Sequence, residues 1–421
     1  MSTRPAVIAF HVRSGVVALN VVTAALDSDP DTHNVDVHFE KSVDALVDRI
    51  NAEPRPCVVL WSFYSHDFPK ASDDLNVVRS RVTRKDVWHV AGGVHATAEP
   101  LATLRAGFDL VAIGEGEATM VSLYKAIASN GDPRALDGVA YLDHGRLVSH
   151  GPGERRPLDD FQAFNLRFGK WNALEITRGC VYACSFCQTP FMFKAKFRHR
   201  SVENVKWHVA ELNKQGSRFV RFLTPTSLSY GSDDESVNLD AIDALLAAVR
   251  EAAGAHAKIY FGTFPSEIRP EHITVEALRV MKKYISNDSV IIGGQSGSQR
   301  VLDETRRGHS VDDVIRAVEI CVSEGIRPDV DLLLGLPTET FEDRQRSLEL
   351  ARLLVAKGAK IHSHAFMPLP GTPLRSQEPT ALEPEVTLEM ARLESKGAMY
   401  GQWRAQMVSA ADLVKRRRES P

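Results

Sequence analysis

Short apolar runs recur through the first third of the chain: AVIAF (6–10), VDVHF (35–39), CVVLW (57–61), VWHVAGG (87–93) and DLVAIGEGE (109–117). Segments of helical periodicity separate them. Strands separated by helices of about 10 to 15 residues predict parallel pairing in an α/β, doubly wound, Rossmann-like sheet. At 138–150 the pattern becomes GVAYLDHGRLVSH, an alternation around Asp143, His144 and Gly145 that predicts a β-hairpin. Gly, Pro and charge then dominate 151–170, the composition of an interdomain linker.

A second series of strand patterns follows: ALEIT (173–177), RFVRFLT (218–224), KIYFG (258–262), SVIIGG (289–294), DVDLLLG (329–335) and KIHSHAF (360–366). Helical segments at 202–214, 239–251, 311–324 and 341–356 lie between them, and Ser310 and Gly325 suit the two ends of the third. Six β/α units predict a partial (β/α)6 barrel whose chemistry sits on the loops leaving the strands. The expected organisation is a Rossmann-like domain over 1–135, hairpin and linker over 136–170, partial barrel over 171–370 and a helical C-terminal segment over 371–421.

Composition narrows the function classes. At 421 residues, with 43% hydrophobic and 25% charged residues, the chain suits two or three soluble domains. A net charge of -3 gives no basic surface for nucleic acid, and the run Lys415–Arg418 reads as a solvated tail. No signal segment and no apolar stretch of about 20 residues is present, so no membrane partner and a cytoplasmic location are expected.

Five cysteines occur. Cys57 and Cys321 lie in apolar patterns and are expected to be buried and inert. Cys180, Cys184 and Cys187 fall within eight residues, in EITRGCVYACSFCQTP, on the loop leaving the first barrel strand. A cubane cluster normally takes four thiolates, so a trio leaves one iron with an open position. A zinc site would need a fourth ligand, for which His199 is the nearby candidate, and a disulfide would use only two of the three.

The spacing C-x3-C-x2-C, with Phe186 before the last cysteine, resembles the signature of the radical S-adenosylmethionine (SAM) enzymes, in which SAM chelates the open iron. GGQSGSQRVLDETRRGH after the fourth barrel strand resembles the QSGS and RGH elements of a branch that includes methylthiotransferases. GLPTET after the fifth and PGTP after the sixth are similar to segments of the same group. This resemblance implies that Phe186 packs near adenine, that Gln295, Ser296, Ser298 and Arg307 contact SAM, and that Leu336 lies in a turn beside adenine. As bare patterns, the same residues are turns and proline-stiffened loop exits.

In the first domain, Ser62 follows the third strand, Gly92, Gly93 and His95 the fourth, and Gly114, Glu115 and Gly116 the fifth. Such positions bind nucleotide-like ligands in doubly wound sheets, or simply make strand-to-helix turns. Ahead of a radical SAM barrel, GGVHAT and GEGE resemble the cobalamin-binding domain of one large radical SAM class. Domains that place histidine beneath cobalt carry D-x-H-x-x-G after the first strand. Here AFHVRSGVVALN stands there, and Asp31-Thr32-His33 is followed by Asp36 where Gly belongs. The resemblance therefore implies no histidine under the cobalt, with His33 on the surface and His11 structural. Methylthiotransferases also hold a second cluster on three N-terminal cysteines, where this chain has only Cys57.

The implied cofactors are a 4Fe-4S cluster, SAM and cobalamin, with an electron donor such as flavodoxin or ferredoxin. The implied chemistry is reductive cleavage of SAM to a 5'-deoxyadenosyl radical, hydrogen abstraction from a small-molecule or other substrate, and methyl transfer from cobalamin to carbon. Two alternatives stay open: a non-methylating rearrangement or cyclisation, and a non-catalytic cluster- or corrinoid-binding protein. No residue reads as a catalytic acid or base.

Overall fold

Strands β1 (Ala6–Phe10) and β3 (Cys57–Ser62) are buried at every residue, because each faces a helical layer on both sides. In β3 the residues Cys57, Val59 and Trp61 join one core while Val58 and Leu60 join the other. The alternation of side chains thus persists inside an unbroken apolar run. The computed structural model describes residues 4–419, which divide into two compact units between Asn172 and Ala173.

In the first unit, β2 (Val37–Glu40), β4 (Val87–Gly92) and β5 (Leu110–Ala112) complete a parallel set in the order β2-β1-β3-β4-β5. Helices α1 (Val16–Asp27) and α6 (Gly116–Ala128) supply Leu19, Leu26, Leu123 and Ile127 to one core. Helices α2 (Val43–Ala52) and α3 (Phe68–Arg81) supply Leu46, Ile50, Leu75 and Val78 to the other. The expected hairpin forms as β6 (Val139–Asp143) and β7 (Arg146–Ser149), with His144 and Gly145 at positive φ, and β6 pairs antiparallel with β5. The stretch 151–170 is irregular and docked: Arg167 donates to Asp27 Oδ1 at 3.2 Å and Asn165 Nδ2 to Thr23 Oγ1 at 3.3 Å.

In the second unit all six expected strands appear. Parallel β8 (Leu174–Glu175), β11 (Phe219–Leu223) and β12 (Lys258–Tyr260) form one group. Parallel β13 (Ser289–Gln295), β14 (Arg327–Leu334) and β15 (Lys360–Ala365) form the other, and Ile268, in the segment after β12, bridges in parallel to Ile292 of β13. Between them run α8 (Val202–Lys214), α9 (Leu239–Ala253), α10 (Val275–Lys282), α12 (Val311–Ser323) and α13 (Phe341–Ala356). Ser310 caps α12 as expected, in a capping box with Asp313. An antiparallel ribbon of β9 (Thr177–Arg178) and β10 (Arg198–His199) closes the base of the cysteine loop.

The C-terminal segment is helical, with α14 (Pro384–Ser395) and α15 (Trp403–Glu419), and carries one strand that periodicity does not reveal. This is β16 (Met399–Gly401), a seventh parallel strand on β15, too short to display a period. The Lys415–Arg418 run forms the last turn of α15, where Arg417 donates to Arg375 O at 2.7 Å and Arg418 pairs with Glu378. No helix among the described residues is long and apolar enough to cross a membrane.

Candidate functional site

The cysteine loop folds around its own apolar residues. Tyr182, Cys184 and Phe197 are buried together, with Cys180, Phe186 and Cys187 packed on them. All three thiols are free. Burial pushes the Cys180 thiol up to about 12 and raises that of Cys187 as well, so each holds its proton until a metal displaces it. Three free thiols on one loop, Cys184 buried and Cys180 and Cys187 half-buried, fit a cluster that keeps one iron open. His199 is committed elsewhere: its Nδ1 lies 2.9 Å from Thr177 Oγ1 and its Nε2 2.7 Å from Ser232 O.

Elements distant in sequence converge on this loop. Arg307 donates to Cys184 Sγ at 3.4 Å through Nη1 and to Gly293 O at 2.8 Å through Nη2. Ser185 N–H donates to Thr305 O at 3.0 Å, and Gln188 Nε2 to Pro370 O, in the PGTP segment, at 2.7 Å. Phe186 packs on a cluster of Val301, Leu333, Leu336 and Phe366. Phe186 thus packs on both the cysteine cluster and the Leu336 cluster, and Arg307 rests on a cysteine sulfur.

The serines of the QSGS loop face inward. Ser296 and Ser298 are fully buried. Ser298 donates its hydroxyl to Asp343 Oδ1 at 2.6 Å, and Ser296 lies 3.3 Å from Ser347 Oγ and accepts Ser298 N–H at 3.1 Å. These hydroxyls pin the loop to α13, whereas half-buried Gln295, at φ +69°, marks where the chain turns out of β13.

In the first unit, Ser62, Gly92–Gly93 and Gly114–Gly116 follow three adjacent strands, β3, β4 and β5, at their carboxyl ends. Gly93 has φ +86° and a Cβ there would lie 2.7 Å from Ser62 Oγ, so the chain passes too close for a side chain. His95 is buried, hydrogen-bonded at 3.0 Å to Ser65 Oγ and stacked on Phe68 at 4.3 Å. Gly114 N–H donates to Thr97 Oγ1 at 3.0 Å, and Glu115 lies 3.5 Å from Arg155. Tyr64, two residues beyond β3, is 48% exposed. His11 Nε2 is held 2.8 Å from Asn20 Oδ1, and His33 is exposed.

Comparison with known families agrees with both halves. The Radical SAM superfamily model matches residues 174–351 and the B12 binding domain model matches residues 4–124. The chain is a radical SAM protein with an N-terminal B12-binding domain. This radical SAM protein is 26% identical over 68% of its length to a Methanocaldococcus jannaschii protein provisionally named a methylthiotransferase, and 25% identical over 69% to an uncharacterized methyltransferase of Pyrococcus horikoshii. It spans 62% of the length of each of those relatives. Among solved structures it matches TsrM of Kitasatospora setae, a radical SAM methyltransferase with cobalamin and a [4Fe-4S] cluster bound. That match has a TM-score of 0.67 and 17% identity, covering 89% of this chain and 74% of that one. It also matches the cobalamin-dependent enzyme OxsB at a TM-score of 0.67 and 16% identity, covering 82% and 52%. At these identities the likeness establishes the fold.

Several residues of the radical SAM unit escape sequence reading. Arg269 packs over the Tyr182 ring at 3.4 Å and donates to Glu271 and to Arg307 O, so it braces the arginine that touches Cys184. Tyr182 in turn meets His272 at 2.9 Å. His309, buried and 3.1 Å from Gly294 O, is pushed down to about 4 by burial and by Arg307, and stays neutral. No short motif marks this brace, because it is assembled from three separate loops.

Two predictions arise here. Gly93→Val places a branched side chain at a left-handed φ against Ser62, costing about 1–2 kcal/mol locally. Corrinoid retained per chain should fall about tenfold with iron content unchanged; equal retention would show that the glycine turn is only a turn. The second concerns the GLP turn. Glu339 is 3% exposed and accepts Gly335 N–H at 2.6 Å, and burial pushes its carboxyl from 4.5 up to about 7. A raised carboxyl favours the fold below the unfolded value, and that contribution is lost as pH climbs through the folded one. Glu339→Gln keeps the acceptor and loses the titration. Its stability relative to the wild type should therefore rise from about pH 4.5 to about pH 7 in denaturant melts and level off above that, and a constant difference would contradict the assignment.

Proposed function

We propose that this protein is a cobalamin-dependent radical SAM C-methyltransferase acting on an unactivated carbon of a small-molecule substrate, with a flavodoxin- or ferredoxin-type reductant. The observation that carries this reading is the pairing, in one chain, of a B12-binding domain with a barrel whose first loop presents three free thiols. When bound, the cluster and SAM supply a hydrogen-abstracting radical and cobalamin supplies a methyl group. Cys180, Cys184 and Cys187 hold the cluster, and the Arg307 guanidinium at Cys184 offsets its negative charge. Phe186 and Leu336 form an apolar wall that excludes water, which an unselective radical requires. Ser296 and Ser298 fix the loop on which Gln295 meets SAM. Methylthio transfer is not favoured, since Cys57, fully buried in β3, is the only cysteine before Cys180.

The test is protein purified anaerobically from cells supplied with cobalamin. About one corrinoid per chain, read from the visible spectrum after cyanide extraction, supports the reading. A protein that never retains corrinoid, under conditions in which its iron is retained, would leave radical chemistry without methyl transfer.

A further inference from the structure

Adjacent strands of the barrel carry a second donor set that the cluster does not use. Asp331 of β14 and His362 of β15 are register partners, and His364, two residues on, shares the face of His362. Their donor atoms converge: His362 Nδ1 is 2.8 Å from Asp331 Oδ1 and 3.2 Å from His364 Nε2, and His364 Nε2 is 3.7 Å from Asp331 Oδ1. Ligand atoms around an ion with bonds of about 2.0–2.1 Å are roughly 2.9 Å apart at octahedral corners and roughly 3.3 Å apart at tetrahedral ones. Two edges, 2.8 and 3.2 Å, have those dimensions before any ion enters, and the third, 3.7 Å, is a few tenths of an ångström longer.

Both histidines can donate to Asp331, but His364 Nε2 then reaches it only across 3.7 Å and stands 3.2 Å from the protonated His362 Nδ1. A proton on His362 Nδ1 serves Asp331 but removes the lone pair that would accept from His364. Without that proton, two lone pairs face each other across 2.8 Å. A cation at the centre satisfies all three atoms at once.

The surroundings hold both rings in place, as outer contacts do at metal sites. Tyr400 stacks on His362 with ring centres 4.7 Å apart, and its hydroxyl donates to Asp329 Oδ2 at 3.1 Å. Gln406 Nε2 lies 3.2 Å from His364 Nδ1 while its Oε1 accepts Ala365 N–H at 2.9 Å. Coordination through Nε2 leaves the His364 proton on Nδ1, so Gln406 must then turn its amide oxygen toward the ring and give up the Ala365 N–H. Asp331 is buried, whereas the His364 side chain keeps 27% of its surface exposed, giving an ion a way in and a ligand a way on. Glu267, a buried carboxyl, feels the charges of Asp331, His362 and Arg307.

We propose that Asp331, His362 and His364 bind one divalent first-row transition ion of the Zn2+ class, separate from the iron-sulfur cluster, with open positions for an oxygen or nitrogen ligand. Two imidazoles and one carboxylate suit such an ion. The test uses the full chain with its cluster reconstituted, so that Cys180, Cys184 and Cys187 are occupied. The protein is stripped with a mild chelator, exposed to Zn2+ alone and desalted, and iron and zinc are measured in the same sample. About one zinc per chain is expected, falling at least tenfold in Asp331→Asn and in His364→Gln with iron unchanged. Zinc-edge X-ray absorption should show imidazole and oxygen scattering without sulfur. Absence of zinc from the wild type, equal zinc in the variants, or sulfur in the zinc shell would each overturn the proposal. A variant that also loses iron is replaced by His362→Gln, read by the same iron-to-zinc comparison.

Discussion

Replacing Cys184 by Ala is expected to leave a chain that binds no 4Fe-4S cluster and releases no 5'-deoxyadenosine. Cys184 is 4% exposed, lies at the centre of the loop's apolar cluster, and accepts the Arg307 guanidinium at 3.4 Å. Two remaining thiols cannot hold three irons of a cubane, so the loss is of the whole cluster rather than a weakening. The substitution also strips a buried guanidinium of one acceptor, which costs about 1–3 kcal/mol. Cys184→Ser keeps a polar partner for Arg307, so it should be the more stable of the two while lacking the cluster equally. Iron and acid-labile sulfide content, with a thermal melt of each variant, checks both statements. Wild-type iron in either one would remove Cys184 from the ligand set.

Gly179→Ala is expected to cost nearly as much, though it touches no ligand atom. Gly179 has φ +81°, and a Cβ there would lie 2.0 Å from the backbone oxygen of Lys196. That oxygen belongs to the strand side of the loop, next to β10, and cannot rotate away as a side chain would. The alanine variant must therefore move the start of the cysteine loop, carrying Cys180 with it. Misplacing a ligand through its support typically lowers metal affinity about 10–100-fold. Reconstitution of the variant should give a correspondingly lower iron content at limiting iron and sulfide. Full iron loading at the same concentrations would mean that the loop tolerates a shift the structure does not show.

What the sequence reveals and what it hides follow from the range of the forces involved. The central strands were legible because burial on both faces demands unbroken apolar runs, and the hairpin because His144 and Gly145 adopt the positive φ that its turn needs. The cysteine trio was legible because its ligands are contiguous. Cys57 and Cys321, read from their apolar neighbours, are fully buried, with thiols pushed up to about 11 and about 12 by desolvation.

Side-chain direction was not legible. A Gly/Ser loop could turn its hydroxyls toward a ligand or toward its own helix, and Ser296 and Ser298 turn to α13. The Arg269–Arg307 brace joins residues 38 apart and leaves no local pattern. The Asp331–His362–His364 group did leave one. The alternation in KIHSHAF places two histidines on one face of a strand, and DVDLLLG places Asp331 on its neighbour, but only the pairing register shows that they meet.

The most direct measurement is of SAM cleavage. The cluster-reconstituted protein is reduced anaerobically in the presence of SAM and cobalamin, and 5'-deoxyadenosine is quantified by liquid chromatography and mass spectrometry. The proposed function predicts 5'-deoxyadenosine that depends on the reductant and disappears in Cys184→Ala. A full cluster with bound SAM that yields none, with any reductant of low enough potential, would contradict it.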